Sequence, residues 1–225
     1  MLKFISLFFL IFLTHEAISS EARGFYSRGR LVDGENILSR AGHVQKLFVE
    51  RGRLYTTTEM NDLIQSVVSS VKIIYPDLEL IQIGDLSAEK GGRVSRHQSH
   101  QNGLDADIVY IRKNKYVQPS TSPEWEEEFA INGKVTENFD IDRNWTLITE
   151  FIKQGNVGRI FVDEQIKLLY CNKFKKEGTL EINSSYLRRL RTLPHHSTHL
   201  HLRIKCPVEA KRCKDQTEPP VGTGC

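Results

Sequence analysis

Two short stretches gather most of the groups in this chain that can hold a metal ion. One reads His97-Gln98-Ser99-His100, with Asp107 seven positions further on. The other reads His196-Ser197-Thr198-His199-Leu200-His201. With His195, six of the eight histidines lie in these two clusters. Imidazole and carboxylate are ligands of zinc and similar cations, and a catalytic site uses three of them and leaves one position open. The chemistry such a set supports is metal-assisted hydrolysis. His97 and His100 are two residues apart and lack the Glu and the three-residue gap of the helical H-E-x-x-H pattern, so these ligands belong on loops and strands.

Strand geometry orders the second cluster. Alternate side chains of a strand point to opposite faces. Over 199–205 this puts His199, His201, Arg203 and Lys205 on one face and Leu200, Leu202 and Ile204 on the other. Alternation alone predicts only that the first face is polar. Gly103, between His100 and Asp107, permits a sharp turn. Asp107 then abuts the apolar run Ile108 to Ile111, where an acid is costly unless bound or bridged.

The remaining chain supplies the scaffold. Thr56-Thr57-Thr58-Glu59 matches a capping box ahead of a helix with Met60, Leu63, Val67, Val68, Val71 and Ile74 at helical spacing, ended by Pro76. Strands are expected over 78–84, 105–111, 158–163 and 199–205. Asp140 or Asp142 caps a second helix carrying Trp145, Ile148, Phe151 and Ile152, stopped by Gly155, and a third helix runs through Ile166, Leu169 and Tyr170. Residues 23–34, rich in Arg and Gly, read as a loose lead-in, 113–122 as a connection, and Glu126 to Glu128 as a solvated helix face. Helices and strands mix without regular β-α-β alternation, so the expected fold is α+β, one domain with a small antiparallel sheet flanked by helices.

The N-terminus has the three parts of a secretory signal: Lys3, the apolar run Phe4 to Leu13, and small residues from Ala17 to Ala22. We expect residues 1–19 to be a signal peptide, cleaved between 19 and 22, and 23–225 to be the functional domain. The apolar run is too short for a transmembrane anchor, and a formal net charge of +3 is too mild to argue for nucleic acid. An exported chain with four cysteines suggests disulfides. Of three pairings, Cys206–Cys213, closing a small loop, and Cys171–Cys225, tying down the tail, are favoured.

Three motifs in order carry a family resemblance: Gly84 to Arg93 (GDLSAEKGGR), Ser99 to Ile108 (SHQNGLDADI), and His196-x2-His199-x-His201 before Cys206-Pro207. Together with Arg159 to Val162 and Pro219 to Cys225, they make the chain resemble the penicillin-insensitive murein endopeptidases, zinc peptidases of the wider D-Ala-D-Ala metallopeptidase group. The resemblance implies His100, Asp107 and His201 as zinc ligands, His199 as general base and His196 as its neighbour in proton handling. It also puts His97 at the site, with a role in metal binding left open, and makes Arg93 the candidate for steadying the oxyanion. Asp105 reads as a structural acceptor. Some members carry a second metal near a D-G-K-H stretch; the counterpart here is Asn132 to Val135 (NGKV), so one zinc per chain is expected.

The implied activity is hydrolysis of D-alanyl–diaminopimelate cross-links in peptidoglycan by an exported, periplasmic enzyme. The alternatives are a D,D- or L,D-carboxypeptidase on stem peptides and a non-catalytic zinc module that binds the wall. The sequence does not fix the oligomeric state.

Overall fold

The alternation of leucine with polar residues along the last strand builds the centre of the main sheet. The structure, a computed structural model, describes residues 20–37, 42–114 and 127–225. The signal-peptide expectation for 1–19, most of the 113–122 connection and Glu126 lie outside these residues. In chain order the elements are β1 (Glu21–Phe25), β2 (Arg28–Val32), β3 (Glu35–Asn36), β4 (Val44–Lys46) and β5 (Tyr55–Thr56). There follow α1 (Thr58–Ile74), β6 (Ile81–Ile83), β7 (Asp105–Val109), β8 (Ala130–Ile131), β9 (Lys134–Val135) and α2 (Ile141–Gln154). The series closes with β10 (Val157–Val162), α3 (Glu164–Lys176), α4 (Ser184–Leu187), β11 (Leu190–Thr192) and β12 (His199–Ile204).

Six strands form the main sheet in the order β11-β10-β12-β7-β6-β4. Its centre is antiparallel: β12 pairs with both β10 and β7, and β7 with β6. The outer pairs, β10 with β11 and β4 with β6, are parallel. The fold is α+β in one domain, as expected, with parallel edges added to the antiparallel centre. One face of the sheet is apolar: Leu200, Leu202, Ala106, Ile108, Ile160 and Val162 are all fully buried. They share a core with Met60, Ile64 and Val67 of α1 and Leu147, Ile148 and Phe151 of α2. Each such large side chain contributes about 1.5–3 kcal/mol of burial, so the helices hold this face firmly and leave the other free for polar work.

Local signals fix the helix ends, with one shift. The cap of α1 is Thr57, whose side chain accepts from Met60 N at 3.3 Å. Thr56, the capping-box residue by sequence, is one position too early because its hydroxyl donates to Gly103 O at 2.8 Å and so pins the turn after His100. Asp140 caps α2, accepting from Arg143 N at 3.0 Å. Asn144 inside α2 is buried and exchanges two 2.8 Å hydrogen bonds with the backbone of Ile111, tying α2 to the end of β7. Asn132 and Gly133 turn the β8–β9 hairpin with positive φ at both positions, the geometry of a two-residue hairpin loop.

Two expectations are corrected. Residues 23–34 are not a loose lead-in; β1 and β2 form a hairpin registered from Glu21↔Val32 to Phe25↔Arg28. Its glycines hide the strand pattern, but they let backbone meet backbone: Gly24 N donates to Arg212 O at 2.8 Å, and a Cβ on Gly29 would strike Asn102. Glu127 and Glu128 are not on a helix, and Glu127 accepts from buried Arg112 at 3.0 Å. Both favoured disulfides, Cys171–Cys225 and Cys206–Cys213, are formed.

Candidate metal centre

The polar face of the sheet's centre is where the two sequence clusters meet. In the β7–β12 register His201 lies opposite Asp107, Arg203 opposite Asp105, and His199 opposite Val109. Period-two alternation puts His199, His201 and Arg203 on the face shared with Asp105 and Asp107. This face is not solvated. His199, His201 and Arg203 are each less than a tenth exposed, and both aspartates are fully buried.

The third contribution comes from the loop before β7. His100 is fully buried and has a left-handed backbone, φ 62°. Such a conformation costs a non-glycine residue roughly 1–3 kcal/mol, so it must be held. Asp105 Oδ2 accepts from His100 N at 2.9 Å, and Leu86 O accepts from the ring Nδ1 at 2.6 Å. With Nδ1 donating in that bond, Nε2 is the nitrogen turned to Asp107, 3.2 Å from Oδ1. His201 presents its Nδ1 to the same oxygen at 3.4 Å, while its Nε2 lies 2.9 Å from Asp105 Oδ1. Backing a ligand histidine with a carboxylate or carbonyl on its other nitrogen fixes the ring and raises its basicity. Asp105 is the structural acceptor the sequence suggested. It takes His100 N, His201 Nε2 and Arg203 Nε at 2.7 Å.

The donor set fits a cation. His100 Nε2 and both oxygens of Asp107 are buried without a hydrogen-bond partner, and buried polar atoms in a native fold are otherwise almost always paired. The electrostatics point the same way. Burial disfavours charge on His100, but Asp107 overrides it and raises this imidazole to about 9. Burial pushes the Asp107 carboxyl up, and the surrounding imidazoles His100, His199 and His201 pull it well below its usual range. Positive charge is demanded between His100 and Asp107. His97 also belongs here: His97, His100 and Asp107 have ligand atoms within 4.8 Å of one another.

His97 comes with a partner that the sequence did not reveal. Its Nε2 is 2.9 Å from Asp85 Oδ2, which also accepts from Arg51 at 3.3 Å and Arg53 at 3.2 Å. Asp85 sits inside the first family motif, yet nothing local distinguishes it from a turn aspartate. Arg203 was assigned to the polar face by alternation. Its guanidinium lies over Tyr26 at 4.2 Å and Phe161 at 5.1 Å, stacking that alternation cannot foresee.

The pair expected to handle protons lies beside Asp107. His199 Nε2 is 3.6 Å from Asp107 Oδ1, and its Nδ1 is 2.7 Å from Thr198 Oγ1. Burial lowers His199 to about 4 and keeps its ring neutral at neutral pH. The ring of His196 is 5.1 Å from that of His199. Its Nδ1 donates to Pro194 O at 2.8 Å and Leu193 O at 3.1 Å, leaving Nε2 as an acceptor, and burial again lowers its pKa. Arg93 is exposed on the loop between Ser87 and His97, and among the described residues no hydrogen bond or ion pair joins it to the histidines.

The sheet's polar face and the loop before β7 thus gather two aspartates and five neighbouring imidazoles, and the family match is to peptidases. The family described as penicillin-insensitive murein endopeptidase matches residues 22–225, and the chain belongs to it. Among similar proteins are the penicillin-insensitive murein endopeptidases of Escherichia coli O17:K52:H18 (strain UMN026 / ExPEC), Escherichia coli K12 (strain DH10B) and Shigella boydii serotype 18. Each is 29% identical over 211 residues, covering 92% of this chain and 74% of its own length.

Proposed function

We propose that this protein is an exported, periplasmic zinc-dependent D,D-endopeptidase that hydrolyses D-alanyl–diaminopimelate cross-links in peptidoglycan. The observation that carries the reading is the convergence of His100 Nε2, His201 Nδ1 and Asp107 Oδ1 beside a neutral His199. His100, Asp107 and His201 are the residues that would hold one zinc ion, with His97 as a further donor at its edge. When bound, zinc supplies a Lewis acid that acidifies water and polarises the scissile carbonyl.

The chain's own residues do the rest. Asp105 fixes the tautomer of His201, and Leu86 O fixes that of His100. His199 Nε2 accepts a proton from the attacking water, with Nδ1–H donating to Thr198. A depressed pKa keeps this base free of protons at neutral pH. His196 Nε2 faces the same space and shares the proton before it reaches the leaving amine. Arg93, exposed at the rim, is the cation proposed to steady the developing oxyanion. Water is the nucleophile, so an acylating β-lactam finds no serine to trap on this route.

Cleavage of the signal peptide after Ser19 suits the fold better than cleavage after Ala22. Ser20 Oγ accepts from Thr58 N at 2.6 Å, and Ala22 is fully buried in β1.

Purified enzyme acting on cross-linked muropeptide dimers tests the reading. Conversion of dimer to monomer, lost on chelation and restored by zinc, is the expected result. Release of terminal D-alanine with dimers intact would make it a carboxypeptidase. Wall binding without turnover would make it a non-catalytic module.

A further inference from the structure

The β1–β2 hairpin has a composition that its own folding does not explain. Its inner face is Ala22, Gly24, Gly29 and Leu31, small or apolar and packed on the body. On its outer face Arg23 lies opposite Arg30 and Arg28 opposite Phe25. Like charges directly opposite on a ladder are destabilising, and a lone two-stranded hairpin has little stability to give away. Glu21 neutralises Arg23 at 2.7 Å and Arg212 at 3.1 Å. Arg28 and Arg30 are exposed, and among the described residues no ion pair reaches either.

Arg23, Arg28 and Arg30, with Gly24, Gly29 and Gln101, line a shallow basin of about 340 Å³. The basin is attached to the metal centre by backbone. Tyr26 O accepts from Gln101 N at 3.2 Å, and Gln101 follows the ligand His100 directly. Leu31 N donates to Lys90 O at 3.2 Å, so β2 also runs against the loop that carries Arg93 and His97.

We propose that this basin is a substrate subsite that binds a free carboxylate of the murein stem peptide flanking the bond to be cut, through Arg28 and Arg30. The proposal rests on the murein reading above. Guanidinium forks match carboxylates two bonds at a time. Stem peptides carry several free carboxylates, and the hairpin reaches the candidate metal centre through Tyr26, whose ring lies 4.2 Å from the guanidinium of Arg203, itself bonded to the Asp105 that holds His201. A basin lined in part by Gln101, the residue after His100, favours this occupant over an anionic lipid surface, which would need no link to that loop.

The test is the enzyme carrying Arg28→Gln and Arg30→Gln, assayed on a cross-linked stem-peptide dimer and on the same dimer with its free carboxylates amidated. On the native dimer, KM should rise about three- to tenfold with kcat within twofold. On the amidated dimer the two enzymes should have equal KM. Both side chains are exposed and Arg30 faces Arg23, so a melting temperature no lower than that of wild type confirms that the variant is folded. An unchanged KM on the native dimer, or an equal rise on both substrates, overturns the subsite. Loss of binding to phosphatidylglycerol vesicles with the dimer KM unchanged also overturns it and assigns the patch to a membrane. Calorimetric titration of an uncrosslinked stem peptide separates the two readings. Arginine-dependent binding without dimer cleavage sinks the endopeptidase assignment and keeps the subsite, whereas cleavage with arginine-independent binding does the reverse.

Discussion

His201 and Asp107 face each other across the β7–β12 ladder, and the ring of His201 also reaches Asp105, so one imidazole spans two aspartates 3.4 and 2.9 Å from its two nitrogens. The two carboxylates have opposite situations. Asp105 is saturated by His100 N, His201 and Arg203, whereas both Asp107 oxygens lack a hydrogen-bond partner.

Replacing Asp107 by Asn should therefore separate folding from metal binding. The metal-free variant should stay folded but melt below metal-free wild type, because the carboxylate that faces His100, His199 and His201 is lost. The rise in melting temperature that zinc gives the wild type should vanish in the variant. Calorimetric scans with and without zinc check this; a variant that still gains stability from zinc removes Asp107 from the ligand set.

His199→Ala should reduce kcat about 10²–10⁴-fold, the usual contribution of a general base. Zinc content by elemental analysis should stay at the wild-type ratio. Unchanged turnover would remove His199 from the reaction, and lost zinc would move it into the ligand set.

Asp85→Ala leaves His97, Arg51 and Arg53 without their shared acceptor. Loss of such an outer partner costs about 10–100-fold in metal affinity, and competition against a chelator of known affinity should show it. His97→Ala should have an effect of similar size if Asp85 acts by orienting that ring, and the double variant should then be no worse than either single one.

Alkaline stability is set by three buried tyrosines. Burial raises the phenol of Tyr26, of Tyr110 and of Tyr170 above the usual value. Their raised folded pKa values contribute stability that is complete below about 10, the unfolded value, and is lost as pH climbs beyond it. Lys167, held down to about 8 by burial, opposes this, because its contribution grows as pH rises from there toward about 10.4. Stability should rise between about pH 8 and 10, as the cost of burying Lys167 as a cation disappears, and fall above about pH 10 as the tyrosines come under pressure to ionise. Phenolate absorbance should show three of the seven tyrosines ionising only with the unfolding transition.

Much of this was legible in the sequence wherever one local rule decides the outcome. The period of two along 199–204 placed His199, His201 and Arg203 on one face, and the helical spacing from Met60 to Val71 gave α1. The ligand clusters were visible because imidazoles are scarce elsewhere in the chain. What escaped depends on contacts distant in sequence. Thr56 lost its capping role to Gly103, 47 residues away. Asp85 gained its meaning from Arg51, Arg53 and His97. The β1–β2 hairpin was masked by glycines whose use is close approach to the ligand loop and to Arg212. Burial of the polar face was equally invisible, since alternation cannot tell a solvated row from one covered by loops.

The position of β12 at the middle of the main sheet, between β10 and β7, has a consequence for biogenesis. This strand follows every other strand of the described residues, and both the sheet's centre and His201 wait for it. Pairings so remote in sequence form slowly. A chain not yet extended past β11 thus has neither a finished core nor the histidines of β12. The order of the elements thus ties completion of the core and of the candidate site to the last stretch of synthesis.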